Sequence, residues 1–435
     1  MREDWVECKL GDLLKLRNGF AFKSSKYIGE GIPVIRIGDI KDWNVDTNGA
    51  KKIAEDSEYD SYIVKNGDIL IAMSGATTGK FGIYKSENKA YQNQRVGNLI
   101  PHNIENLSKE FLFYLLYSLK RDIEKDAYGG AQPNISAIKI ESLRTLLAPL
   151  PIQRAIVAKI EKLFTSLDQG IFDLKKAQQQ LKIYRQAVLK KAFAGELIVN
   201  SRKEKLINVT SKIGSGSTPK GGSSSYKESG IPLIRSLNIH FDYIKYAGLA
   251  FIDKNQAEKL KNVIVNEGDV LLNITGASIG RVNIAPREFH NGRVNQHVSI
   301  IRAKDNSFNS KFLKYFLQSS DIQNWISNAN YGVTRQALTK GMLENLEIPL
   351  PNLNEQHQIV KEIESRLSVC DQLEEGIKES LLKSEALRQS ILKKAFEGKL
   401  LSEQEIAQCK LEADYEPAGV LLERIKQNRN ISKKK

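Results

Sequence analysis

The sequence predicts an α+β protein: two pseudo-two-fold related globular α/β domains separated by a pair of long antiparallel coiled-coil helices. Three observations lead there. Blocks of sequence recur in order at a nearly constant offset. The stretch before each break is rich in β-branched residues and turn signals. The stretch after it carries an apolar seam at alternating four- and three-residue steps.

The repeat is the strongest of the three. Gly31-Ile32-Pro33-Val34-Ile35-Arg36 recurs as Gly230-Ile231-Pro232-Leu233-Ile234-Arg235, and Gly67-Asp68-Ile69-Leu70 with Gly75-Ala76 recurs as Gly268-Asp269-Val270-Leu271 with Gly276-Ala277. Asn93-Gln94-Arg95-Val96 returns as Asn295-Gln296-His297-Val298, and Pro149-Leu150-Pro151 as Pro349-Leu350-Pro351. The longest match sets Arg185-Gln186-Ala187-Val188-Leu189-Lys190-Lys191-Ala192-Phe193 against Arg388-Gln389-Ser390-Ile391-Leu392-Lys393-Lys394-Ala395-Phe396. The offset stays between 199 and 203 throughout, which marks a tandem duplication. Residues 1–151 and 200–351 form the globular domains, 152–199 and 352–400 the helical spacers, and 401–435 a C-terminal extension.

Within each globular part, runs such as Asp68–Met73 and Val270–Ile274 predict buried strands, with Asn18-Gly19, Asn66-Gly67 and Asn291-Gly292 as turns. Glu110–Leu119 and Ser310–Gln318 predict intervening helices. In the first spacer, Ile156, Ile160, Leu163, Leu167, Gly170, Leu174, Ala177, Leu181, Tyr184 and Val188 fall at seam spacing. In the second, Ile359, Ile363, Cys370, Leu373, Ile377, Leu387 and Ile391 do so, interrupted at Arg366, Ser380 and Ser384. About 40 residues at ~1.5 Å rise make a rod of roughly 60 Å. One narrow stripe needs a partner, and the other copy is the nearest one. Asn354 is placed to cap the second helix, whereas the first starts three residues sooner after its Pro-Leu-Pro.

Composition narrows the function. The chain has 65 basic and 51 acidic residues, net +14. The excess is concentrated in segments 152–205, at +7, and 206–351, at +6. Such a surplus favours a polyanionic partner. No run reaches the ~18 apolar residues of a membrane span, and the start carries no signal-peptide pattern, so a cytoplasmic protein is expected. Cys8, Cys370 and Cys409 and the five histidines are scattered without metal-ligand spacing, so no metal site is expected.

Catalytic motifs fail on inspection. Gly75-Ala76-Thr77-Thr78-Gly79-Lys80 has three residues between its glycines, and Phe81 follows the lysine, so it is not a phosphate-binding loop. A turn ending in a basic residue fits it and its repeat Gly276–Arg281 alike. No G-x-G-x-x-G fingerprint or serine–histidine–aspartate grouping stands out, and neither a catalytic residue nor a bound cofactor is expected.

Together these blocks resemble the specificity subunits of Type I restriction–modification systems. The likeness rests on the Gly-Ile-Pro-x-Ile-Arg strand, the Gly-Asp-(Ile/Val)-Leu block, the Asn-Gln element and the Pro-Leu-Pro step. To these add Arg-Gln-x-(Val/Ile)-Leu-Lys-Lys-Ala-Phe and the tail Glu416-Pro417-Ala418 with Leu421–Ile425. The resemblance implies two target recognition domains, each reading half of a bipartite, gapped, asymmetric DNA site, with the helices as a ruler. It also implies that two adenine-modification subunits and restriction subunits dock on the chain, bringing S-adenosylmethionine, ATP and magnesium with them. Two other readings stay open: a self-contained methyltransferase or nuclease, and a DNA-binding regulator that dimerises through its helices.

Comparing the halves sorts the contacts. What both share serves folding and phosphate grip; what differs serves base identity. Shared candidates are Arg36 with Arg235, Lys80 with Arg281, Arg95 with Arg293, and the pairs Asn93-Gln94 and Asn295-Gln296. The divergent segments are 15–27 against 212–226, 40–60 against 239–258, and 127–135 against 328–338. They contribute Arg17, Asn18, Lys23, Gln132, Asn134, Lys220, Tyr226, Arg335 and Gln336. Arginine matches guanine, and asparagine or glutamine matches adenine, in the major groove.

Overall fold

Ile69–Ala72 is apolar throughout and buried at every position, and its repeat Val270–Asn273 is buried likewise. These strands organise the two globular domains. The computed structural model describes residues 2–41, 43–102, 107–127, 133–193, 202–305, 307–329 and 337–432. The chain falls into two units, 1–173 with 380–435, and 174–379.

In the first unit a six-stranded sheet runs Leu14–Asn18, Val96–Pro101, Ile69–Ala72, Phe81–Ile83, Trp43–Val45 and Ile40–Lys41. A four-stranded sheet runs Lys52–Ile53, Ile32–Ile35, Ala90–Gln92 and Ile63–Val64, its middle pair parallel. The second unit repeats the plan with Thr210–Ser215, Val298–Ala303, Val270–Asn273 and Val282–Ile284, and with Ala250–Ile252, Ile231–Ile234 and Arg293–Val294. The shared aspartates shape the turn before the central strand. Asp68 Oδ2 accepts from the Lys65 amide at 3.0 Å, and Asp269 Oδ2 from the Asn266 amide at 2.7 Å. Asp269 is buried and doubly bonded by Arg302 at 2.7 and 2.8 Å, while Asp68 takes the Asn98 amide at 2.9 Å.

The long helices are Leu150–Phe193 and Leu353–Phe396, 44 residues each. Both start over a fully buried glutamine. Gln153 Nε2 donates to the Ala148 carbonyl and Gln356 Nε2 to that of Pro351, each at 2.9 Å. The second start is capped by Asn352, not Asn354: Asn352 Oδ1 accepts from the Glu355 amide at 3.0 Å, and Glu355 returns the bond at 2.9 Å. Asn354 already lies inside the helix. In the first copy Pro149 takes the place of Asn352, its carbonyl accepting from the Gln153 amide at 2.9 Å, and Pro151 sits in the first turn, where no N–H is required.

Each unit contains an antiparallel stretch of this helix pair. In the first, Ile160 and Phe164 pack with Ile391, Leu392 and Ala395, and Arg388 pairs with Asp168. In the second, Val188, Leu189 and Ala192 pack with Ile359, Val360 and Ile363, and Arg185 pairs with Asp371 and, at 3.0 Å, with Glu374. One half of the predicted seam holds: Ile160, Leu167, Leu174, Leu181 and Val188 all lie on the covered face. The alternate positions are shifted by one. Ile171 and Arg185 face inward in place of Gly170 and Tyr184, Phe164 is buried beside a partly buried Leu163, Ala177 is half-buried, and Leu367, Glu374, Leu381 and Arg388 face inward in the second helix. Leu373 and Leu387 are each about half exposed.

The C-terminal extension closes the first unit. Helix Ala418–Ser432 buries Leu421, Leu422 and Ile425 in the same core as Trp5, Leu10 and Leu13. Arg154 holds Glu412 and Asp414 at 2.5 and 2.8 Å, and Lys159 holds Glu405 at 2.7 Å.

Replacing Gln356 by leucine removes the partner of the Asn309 amide, now 2.7 Å from Oε1, and of the Pro351 carbonyl. Each orphaned group costs about 1–3 kcal/mol. Gln153→Leu orphans one carbonyl and removes an oxygen that has no partner among the described residues. Urea unfolding is expected to show the larger loss for Gln356→Leu.

Candidate nucleic-acid interface

Main-chain hydrogen bonds gather four separate segments of the first unit. The Phe20 amide donates to the Gln92 carbonyl at 2.9 Å, and the Gln94 amide returns to Phe20 at 2.8 Å. The Met73 amide reaches the Arg95 carbonyl, the Ile135 amide the Met73 carbonyl, and the Gly75 amide the Pro133 carbonyl, each at 3.0 Å. Gly19 allows the first of these approaches, since a Cβ there would overlap the Asn93 carbonyl; Gly216 does the same against Val294 in the second unit. The result is an open cleft of about 870 Å³, its walls including Asn18, Ser74, Gln94, Arg95 and Asn134.

Of the residues singled out by sequence, Asn18, Gln94, Arg95 and Asn134 therefore converge. All four are exposed, and their side chains make no hydrogen bond or ion pair among the described residues. The Ser74 hydroxyl is buried beside them, also without a partner among those residues. Three amides, a guanidinium and a hydroxyl offer both donors and acceptors, the chemistry that reads base edges.

The second unit builds the matching place with other side chains. The Ile274 amide donates to the His297 carbonyl at 2.9 Å, and the Leu338 amide to Ile274 at 2.8 Å. Ser74 pairs with Asn134 in an isolated bridge, as Thr275 does with Ala337. Here His297 occupies the position of Arg95. Its Nδ1 is hydrogen-bonded to the Thr275 hydroxyl, and Gln296 Nε2 donates to its Nε2 at 3.2 Å. In the neutral ring this places the proton on Nδ1. Thr218 donates to Gln296 Oε1. Thr218, Thr275 and His297 were not singled out by sequence, although His297 is visible in the repeat as the residue standing where Arg95 does.

The register corrects one pairing. Tyr91 lies opposite Val34, and Arg293 lies opposite Leu233, so Arg293 is the counterpart of Tyr91, not of Arg95. It is buried and donates to the carbonyls of Ala257, Asn291 and Gly292 at 3.1, 2.7 and 3.0 Å, and burial lowers its pKa. Arg17 is likewise engaged inside its domain. It donates to Gln92 Oε1 at 3.1 Å and to the Ile63 carbonyl at 2.8 Å, with its pKa lowered by burial. Asn93 and Asn295 shape their turns, each Oδ1 accepting from the amide two residues on at 3.4 and 3.1 Å.

The remaining candidates lie away from this convergence or are engaged elsewhere. Arg36 sits 3.8 Å from Asp39. Arg235 donates to the Gly248 carbonyl at 2.5 Å and lies 5.1 Å over the Tyr226 ring. Arg281 approaches His240 Nδ1 at 3.4 Å. Lys23 and Lys220 are exposed, Lys80 is half-buried, and their ammonium groups have no partner among the described residues. Gln132, Arg335 and Gln336 lie outside the described residues. The segment 40–60 does not act only as a loop, because Trp43 packs on Tyr117 and Phe164.

Among the described residues no group of three metal-binding side chains occurs, and no helix is long and apolar enough to cross a membrane. Cys8, Cys370 and Cys409 are all buried, and burial pushes the Cys8 thiol up to about 12.

Residues 2–180 and 209–383 match the model of the Type I restriction modification DNA specificity domain. The chain is 28% identical to the EcoBI specificity subunit of Escherichia coli, covering 99% of this chain and 94% of that one. It is 24% identical to the EcoKI specificity subunit of Escherichia coli strain K12, covering 99% and 96%. A chain from a structure concerned with assembly and conformational transition of the type I R-M system superposes with a TM-score of 0.70 at 22% identity, over 92% of this chain and 99% of that one. The HsdS subunit from Thermoanaerobacter tengcongensis gives 0.57 at 21%, over 92% and 98%.

Arg293→Met strips three carbonyls of their donor and is expected to lower the melting temperature. Arg95→Met removes no bond and is expected to stay within about 0.5 kcal/mol of the parent. Thermal unfolding of the two variants side by side checks the reassignment.

Proposed function

The chain belongs to the Type I restriction modification DNA specificity domain family, and from that premise we propose that each of its globular domains reads one half of a bipartite, gapped, asymmetric DNA site. One observation carries the proposal. The same main-chain framework recurs in both domains and presents Gln94, Arg95 and Asn134 in one, Gln296, His297 and Thr218 in the other. A shared frame with different donors and acceptors implies two readers of different half-sites. Free cations such as Lys23 and Lys220 add phosphate contacts, and the positive surplus of 206–351 supplies the long-range attraction.

The chain contributes recognition and no chemistry. Adenine methylation belongs to two modification subunits docked on it, and translocation and cleavage to restriction subunits. S-adenosylmethionine, ATP and magnesium belong to those partners, and the assembly acts on DNA in the cytoplasm. The helix pair sets the gap. Its antiparallel register, read from Arg185 on Asp371 and Arg388 on Asp168, places Gln178 across from Lys378.

Sequencing methylated adenines in the native genome, with and without this gene, is expected to show loss of one gapped asymmetric motif. A palindromic or ungapped motif would refute the reading. Arg95→Ala is expected to cost about 1–3 kcal/mol of binding and to relax preference in one half-site only. Competition binding with mutated half-sites measures this. Inserting one heptad after Gln178 and another after Lys378 keeps the seam in phase and adds about 10 Å. The preferred gap is expected to grow by about three base pairs at ~3.4 Å each, with both half-sites unchanged. A variant that altered the half-site bases instead would refute the ruler.

A further inference from the structure

An aromatic nest around one indole sets the first repeat apart from the second where globular domain meets helix. In the first unit Trp43, held at φ 76°, stacks on Tyr117 with ring centroids 3.8 Å apart and stands edge-on to Phe164 at 5.8 Å. The Arg388 guanidinium lies 4.5 Å over Phe164 and 5.5 Å over Trp43. Asp168 fixes Arg388 from the facing helix. Cation–π contacts of this kind strengthen as they are withdrawn from water, and the Arg388 side chain is only 12% exposed.

In the second unit the ion pair of this nest is kept and its rings are replaced. The repeat sets Gln318 for Tyr117, Leu367 for Phe164, Arg185 for Arg388 and Asp371 for Asp168. The hairpin that carries Trp43 closes between Ile40 and Val45, and its repeat between Ile239 and Ile244, so Asp242 stands where Trp43 does. The space is open there: a slot of about 400 Å³ whose lining includes Arg185, Phe241, Asp242, Gln318, Leu367 and Asp371.

The indole is mechanically connected to the recognition cleft. Trp43–Val45 pairs with Phe81–Ile83, which pairs with Ile69–Ala72. The next residues of that last strand, Met73 and Ser74, line the cleft. Two strand pairings within one sheet therefore link the helix contact to the reading groups.

We propose that Trp43 is a positioning residue for DNA reading: it keys the first recognition cleft to its helices, whereas the second domain, its slot open, is keyed less tightly. The proposal rests on the two-part, gapped site inferred above. Its consequence is specific. Trp43 contacts no base, so its loss leaves the half-site sequences alone and loosens the spacing between them.

The test is competition binding of the full chain, assembled with its modification subunits, to DNA pools with both half-sites fixed and the gap varied one base pair at a time. Trp43→Ala is expected to reduce the preference for the best gap over its neighbours by about three- to tenfold, the scale of one lost aromatic contact. Trp43→Phe is expected to restore most of it, and Asp242→Trp, which fills the slot, to sharpen the preference beyond the parent. Base preference within each half-site stays constant in all three. An unchanged gap preference in folded Trp43→Ala would reduce the indole to a stabilising contact and overturn the proposal. Should that variant not fold, an unchanged preference in Asp242→Trp would overturn it equally. A parent with no gap preference at all would instead sink the two-part reading on which the proposal stands.

Discussion

Each long helix has one stripe of apolar side chains too narrow to be covered by anything but another helix, and most of the remaining structure is organised around meeting that demand. The pairing is antiparallel in each unit, and its register is fixed by charge as well as by shape. Arg185 and Arg388 lie on the covered face, where an unpaired cation would be costly, and each finds an aspartate at the same repeat position on the facing helix. A slip along the seam would bring those arginines against apolar neighbours. Apolar contacts thus provide the association and the ion pairs select one alignment.

The globular domains attach to this framework through a small number of buried polar groups. Gln153 and Gln356 satisfy the backbone at the point where each helix begins, and the aspartates of the Gly-Asp blocks tie the turn that feeds the central strand. These side chains are shared by both halves because both halves must fold the same way. The recognition groups follow the opposite rule. Main-chain bonds gather the cleft segments, with Thr78 and Asn93 adding side-chain bonds, and Gln94, Arg95 and Asn134 are left exposed and replaceable without loss of a structural bond. In the first domain, a scaffold that leaves these side chains uncommitted can change what it reads while keeping its fold.

The duplication, the strand character of Ile69–Ala72 and Val270–Asn273, and the existence of two helices are legible in the residues because they rest on local pattern. The phase of the seam is not. Leucine stands at positions 373 and 387, but glutamate and arginine stand one step further on, and apolarity alone favours the exposed set. The choice is made by the partner helix, which supplies aspartates for the arginines and the Arg388 guanidinium for the Phe164 ring. The same kind of local ambiguity placed the helix cap at Asn354, although Asn352 has the glutamate three residues later that completes a capping box.

Candidate site residues divide along a similar line. Composition identifies which side chains are able to meet a base or a phosphate, and the repeat identifies which are shared. Neither reveals burial. Arg293 and Arg17 read as cations available to DNA, but strand register places one opposite Leu233 and turns the other inward onto Gln92, where carbonyls and an amide oxygen consume their donors. Trp43 reads as part of a variable loop and is instead a contact with the helices. The sequence by itself determined that this protein is duplicated, built from strands and paired rods, and rich in groups that bind a polyanion, because those properties reside in composition and spacing. Tertiary structure alone decided which arginines are free, which helix face is covered and which four segments meet, because each of those depends on neighbours distant along the chain.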